Sequence, residues 1–116
     1  MSRRARATGE ASGAAPSGSS EAVIDRSLAD ERRILERARS ALSRKDASAA
    51  IDAATEHETR FPRGQLAAER DAILVQSLAM ANRHAEAVER AARFRATYPN
   101  NVLTPVVDKA ILPSPK

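Results

Sequence analysis

Apolar residues recur at helical spacing from Ile24 onward. Ile24, Leu28, Leu35, Ala38 and Leu42 lie three, four or seven residues apart and form one stripe of a helix expected from about Asp25 to Arg44. The opposite side carries Arg32, Arg33, Glu36, Arg37 and Arg39, a solvated face of mixed sign. Asp46 is placed to cap a second helix, because a short carboxylate accepts from first-turn N–H groups. The apolar face of that helix is Ala47, Ala50, Ile51, Ala54 and Phe61. Pro62 stops it near Arg60 or Phe61, and Gly64 supplies the turn. A third helix, about Gln65 to Asn82, spreads Leu66, Ile73, Leu74, Leu78, Met80 and Ala81 over a wide arc, so it is expected to pack on two sides and to be central. After Asn82-Arg83-His84, a fourth helix from about Ala85 to Thr97 aligns Ala87, Val88, Ala91, Phe94 and Tyr98, and Pro99 ends it. Asn101 is then expected to cap a last helix reaching about Leu112, with Pro105 at its fourth position.

The fold class implied is all-α. Only Gly64 among four glycines lies beyond residue 18, and no alternating β-branched run occurs. Residues 1–22 read as an Ala/Gly/Ser/Arg-rich tail or linker with too little apolar surface to offset the entropy of ordering it. Residues 23–112 then form the domain, and 113–116 a disordered end.

An internal repeat underlies this pattern. Phe61-Pro62 and Tyr98-Pro99 lie 37 residues apart, and at the same offset Ala50 meets Ala87, Ile51 meets Val88 and Ala54 meets Ala91. An offset of 38 aligns Leu28-Ala29 with Leu66-Ala67 and Glu31-Arg32 with Glu69-Arg70, which implies that one inter-helix loop differs by a residue. A unit of helix, turn, helix, aromatic and proline resembles the tetratricopeptide repeat. It is more similar still to the longer repeats of the BamD-like lipoproteins of the outer-membrane assembly machinery and related periplasmic cell-envelope proteins. The resemblance covers about residues 28–112, carried by Ala47, Ala50, Ala54, Phe61 and Pro62 in one unit and by Ala85, Ala87, Ala91, Tyr98 and Pro99 in the next. It implies two antiparallel helical hairpins plus a closing C-terminal helix, a fragment of an α-solenoid that serves as an interaction scaffold. As a minimal array, such a unit also fits the C-terminal domain of a larger cell-envelope or regulatory protein.

On this reading the chain is a non-catalytic protein–protein interaction module without cofactor or metal. A partner of unknown identity docks on a concave surface made by the first helix of each hairpin, with Leu28, Arg32, Leu35, Arg39, Arg70, Leu74 and Ser77 as its lining. Val107 and Ile111 in the last helix are assigned to partner docking or self-association, because Val102, Leu103, Val106, Val107, Ala110, Ile111 and Leu112 are too many apolar residues for one stripe. Phe61 and Tyr98 are expected to plug the gaps between hairpins.

Chemistry is scarce. His57 and His84 are the only histidines, and Glu56-His57-Glu58 cannot converge on one ion because successive helical residues point about 100° apart. A solvated or partly packed structural role is expected for His57. No nucleophile elbow or phosphate loop is present, so enzyme activity is not expected. The formal charge is +4, of which residues 1–20 hold +2 through Arg3, Arg4 and Arg6 against Glu10. That tail carries the alternative reading, a nucleic-acid accessory protein. Without stacking aromatics or a recognisable motif, nucleic acid is the less favoured partner. The longest uncharged apolar run, Ala72 to Asn82, is half of what spans a bilayer, and Arg3 to Arg6 are not followed by an apolar h-region. The chain as written reads as cytoplasmic, or as periplasmic if it is a piece of a membrane-anchored protein.

Overall fold

The computed structural model describes residues 16–112, of which 16–22 as backbone alone. It contains five helices, α1 (Pro16–Ser43), α2 (Ala47–Arg60), α3 (Ala67–Met80), α4 (His84–Thr97) and α5 (Thr104–Ala110), with no strand among the described residues. The expected tail therefore divides: residues 1–15 and the expected end 113–116 lie outside the described residues, while 16–22 belong to α1. The helix starts nine residues before Asp25 because Pro16 suits a first turn, where a missing N–H costs nothing, and neither Gly nor Pro interrupts residues 19–43. The described residues divide into two units, 16–30 and 31–112, the boundary falling within α1. In the first, Val23 and Ile24 are exposed and Leu28 is half-buried.

In the second unit α3 is the centre. Ile73 and Leu74 pack with Leu35 and Ala38 of α1 and Ala53 and Ala54 of α2. Ala72, Val75 and Leu78 pack instead with Ala87, Ala91 and Phe94 of α4 and Val107 of α5. The wide apolar arc of the third helix thus serves two separate clusters. Ile51 touches both. Alanine at 38, 50, 54, 87 and 91, each fully buried, lets the helix backbones approach closely, so the core is built without a Trp.

The repeat holds at one offset throughout. From Ala47 to His84, from Ala67 to Thr104 and from Ser43 to Met80 the spacing is 37 residues in every case. The offset of 38 inferred from Leu28-Ala29 and Leu66-Ala67 is corrected: no loop differs by a residue. The helix ends explain why. Lys45 (φ 62°) and Asn82 (φ 65°) both take the left-handed conformation just past a helix. At the first, the Asp46 N–H donates to the Ala41 carbonyl (2.8 Å) and the Lys45 N–H to Leu42 (3.0 Å). At the second, the Arg83 N–H donates to Leu78 (2.9 Å) and the Asn82 N–H to Ala79 (3.1 Å). This paired closure satisfies the orphan carbonyls of a helix end in both places.

Asp46 caps α2 as expected, its Oδ1 accepting the Ala49 N–H at 3.1 Å. Asp46→Ala is expected to cost about 1 kcal/mol, read as a lower urea midpoint. Asn101 acts differently from expectation. Its side chain accepts the Leu103 N–H (2.8 Å) one residue ahead of α5, so Pro105 falls in the first two helical positions.

Candidate functional site

Three polar side chains occupy apolar-stripe positions, one on each of α1, α2 and α3. Glu31 continues the spacing of Leu28, Leu35 and Ala38; His57 follows Ala50 and Ala54; Arg70 stands between Leu66 and Leu74. The folded chain brings them together at 2%, 0% and 4% exposure. His57 is therefore neither solvated nor grouped with Glu56 and Glu58. Its Nε2 lies 2.8 Å from Glu31 Oε1 and its Nδ1 3.4 Å from Arg70 Nη1. A guanidinium only donates, so in the contact with Arg70 the Nδ1 accepts, which leaves Nε2–H to donate to the Glu31 carboxylate.

Glu31 has a second task. The first turn of α3 has no side-chain cap of its own, and the Glu31 carboxylate reaches across to accept the Leu66 N–H (3.0 Å) and the Gln65 N–H (3.2 Å). Placing an anion there also suits the helix dipole. Room for it comes from Gly64, where a Cβ would lie 2.7 Å from the Glu31 Cδ and collide with the carboxylate. Arg70 closes the group, donating to the Phe61 carbonyl (3.3 Å) and, through Nε, to Asp71 (2.9 Å).

From Asp71 the network reaches the surface. The Tyr98 hydroxyl donates to Asp71 Oδ2 (3.4 Å), and burial, aided by the Asp71 carboxylate, pushes the phenol above its ordinary range. Arg90 forms a forked pair with Glu58 (3.1 and 3.3 Å) and stands 3.9 Å from Asp71. The hydrogen bond from Arg90, followed by its charge, holds the Glu58 carboxyl below 4.5 against the opposing effect of burial. A carboxyl depressed in the folded state favours folding above its unfolded value, and that contribution disappears as the pH falls through the folded value. Arg90→Gln is accordingly expected to raise the pH at which the chain unfolds in an acid titration followed by circular dichroism. An unchanged acid midpoint would show that the pair contributes nothing.

The positions assigned to a partner-binding surface scatter. Leu35, Arg70, Leu74 and Ser77 are buried, as is Val107; Ile111 is half-buried against the second apolar cluster. Burial moves Leu35, Ser77 and Val107 from the expected lining into the joints between helices, Ser77 spending its hydroxyl on the Ile73 carbonyl (2.7 Å), while Arg70 and Leu74, though buried, edge two other clefts of about 220 and 280 Å³ beside α4. Arg32 is exposed and Leu28 belongs to the other unit. Arg39 does line a groove, of about 290 Å³, together with Leu42 and Ser43 of α1, Glu69, Ala72, Ile73 and Gln76 of α3, and Leu103 and Val106 ahead of and on α5. Arg39 crosses it to pair with Glu69 and also bonds Glu36. Ile73 and Gln76 line it beside Arg39, whereas Leu74, one residue and so about 100° around the helix, lines the cleft toward α4 with Ile51 and Leu78.

The repeat residues Phe61 and Tyr98 hold matching places. Each ends its helix with similar dihedrals (φ −134°, ψ 64° and φ −125°, ψ 66°) and an N–H bonded to the carbonyl four residues back. Both rings are half-buried, with Pro62 and Pro99 exposed beside them. The fully buried positions are one turn earlier, His57 and Phe94, whose rings lie 5.6 Å from Phe61 and 5.1 Å from Tyr98.

Among the described residues no helix is long and apolar enough to cross a membrane, and no group of three acidic or histidine side chains is placed to hold a metal. No protein-family profile, characterised protein or solved structure matches this chain.

Proposed function

We propose that the chain is a non-catalytic interaction module of tetratricopeptide type, with α1–α2 and α3–α4 as helical hairpins and α5 as the closing helix. The reading is supported by the single 37-residue offset that relates the helices and by their sequential packing. On it, the first helix of each unit contributes to the groove between Arg39 and Val106. That groove is the observation that carries the proposal: three helices spaced one repeat apart line about 290 Å³ of open volume with apolar side chains and few charges.

Its floor is Ala72 and Ile73, its walls Leu42, Leu103 and Val106, and its polar rim the Arg39–Glu69 pair with Gln76. Such a shape takes an apolar side chain from a peptide or helix, while the rim orients the backbone. The likeness to BamD-like repeats favours, for such a module, a role within a larger cell-envelope assembly.

Selection of random peptides on the immobilised chain tests this. Enriched peptides are expected to lose at least tenfold in affinity on Leu42→Glu or Val106→Glu and to be unaffected by Val88→Glu, which lies outside the groove. Peptides indifferent to both groove variants would remove the groove from the function.

A further inference from the structure

We infer that a second copy of this chain docks on the face formed by Val88, Arg95, Pro105, Asp108 and Leu112, by a two-fold contact. The repeat itself identifies the face. Counting back 37 residues, these positions correspond to Ile51, Glu58, Ala68, Asp71 and Val75. Within the chain those five meet the following helices. Val75 is fully buried and Ile51 and Ala68 pack on the cluster of Ala87, Ala91 and Phe94. Glu58 and Asp71 both face Arg90 of α4, at 3.1 and 3.9 Å. It is the surface on which this architecture has already stacked one unit on another.

One unit later Val88 is 39% exposed and Pro105 is exposed, and Leu112, two residues past the end of α5 where Val75 is still inside α3, is 65% exposed. Arg95 and Asp108 pair with each other at 2.8 Å, both about half exposed. The charge pattern selects the occupant. Where the interior face presents two carboxylates to one arginine, this one presents a cation and an anion side by side. A two-fold axis sets Arg95 of each copy against Asp108 of the other, so the patch complements itself. The opposite end of the unit does not offer a mate for head-to-tail stacking. There Glu36 and Arg37 stand where the interior has the buried Ile73 and Leu74, and Arg37 is already bonded to Glu56 (2.7 Å).

Sedimentation equilibrium over a series from low micromolar to several hundred micromolar reads the contact. The parent is expected to move from monomer to dimer, and Val88→Glu/Leu112→Glu to stay monomeric with the same helicity. Arg95→Glu makes the face wholly acidic and Asp108→Arg wholly basic, so each alone is expected to be monomeric while their equimolar mixture dimerises. That mixture distinguishes pairing between copies from the pair within one copy, and it stands even if the double variant folds poorly. A parent monomeric throughout, a dimer that all the variants leave intact, or a mixture that stays monomeric would overturn the inference.

Discussion

Phe94→Ala is expected to lower the stability of the chain by about 3–5 kcal/mol, since the ring is 1% exposed and its removal leaves a cavity that neighbouring alanines cannot fill. A domain of this size has a total on the order of 5–15 kcal/mol, so a large share goes with one side chain. Phe94 joins Ala72, Val75 and Leu78 of α3 to Val107 of α5 through Ala87 and Ala91, and no other aromatic enters that cluster fully. Phe61→Ala and Tyr98→Ala remove rings that are only half-buried and are expected to cost clearly less. Urea unfolding of the three variants side by side gives the ranking. A Phe94→Ala midpoint close to the parent's, or a Phe61→Ala cost equal to that of Phe94→Ala, would contradict the burial described above.

The apolar stripes were enough to place α2, α3 and α4 and to identify α3 as the element packed on two sides, because in short alanine-rich helices periodicity tracks burial, although Met80 and Val88 keep their stripe positions and stay exposed. Asp46 was legible for the same local reason: a cap is a matter of one side chain and the next turn. The groove was not legible to one residue. Ile73 and Leu74 are equally apolar and both pack in the joint with α1 and α2, and which groove each one edges depends on the relative rotation of the helices, which no local pattern records. Lys45 gave no signal either. Its left-handed backbone is imposed by the paired closure at Ala41 and Leu42, in a place where Asn82 of the next unit is a more recognisable choice.

The buried polar group leaves a trace in the helical stripes. Along the sequence, His57 has Glu56 and Glu58 as neighbours and forms no site with them. Along the stripe, it is a polar residue in a place spaced for an apolar one, and so are Glu31 and Arg70. Three such exceptions on three successive helices point to one another, because a buried charge needs a partner far more than it needs a sequence neighbour.

The second repeat solves the same packing problem without charge, and from this comes the other large effect. Counting forward 37 residues, Glu31, His57, Gly64 and Arg70 become Ala68, Phe94, Asn101 and Val107. Phe94 and Val107 fill with carbon what His57 and Arg70 fill with a hydrogen-bonded pair. The N–H of Leu103, matching that of Leu66, is satisfied by Asn101 from within its own loop rather than by a glutamate from another helix. Breaking the first solution at one point is expected to be severe: Glu31→Ala strands His57 Nε2–H and leaves the Gln65 and Leu66 N–H groups at the start of α3 without their acceptor, costing about 3–5 kcal/mol. Gly64→Ala attacks the same carboxylate from the loop side and is expected to be destabilising in the same sense. Transplanting the second solution whole, as Glu31→Ala/His57→Phe/Gly64→Asn/Arg70→Val, replaces the network by packed carbon and a local cap. Exchanges of that kind are commonly neutral or stabilising by about 1–4 kcal/mol. The fourfold variant is therefore expected to unfold at or above the parent's urea midpoint although it contains Glu31→Ala. A fourfold variant no more stable than Glu31→Ala alone would mean that the two units are not interchangeable at these positions, and that the charged group is needed to seat α1 on α2 and α3.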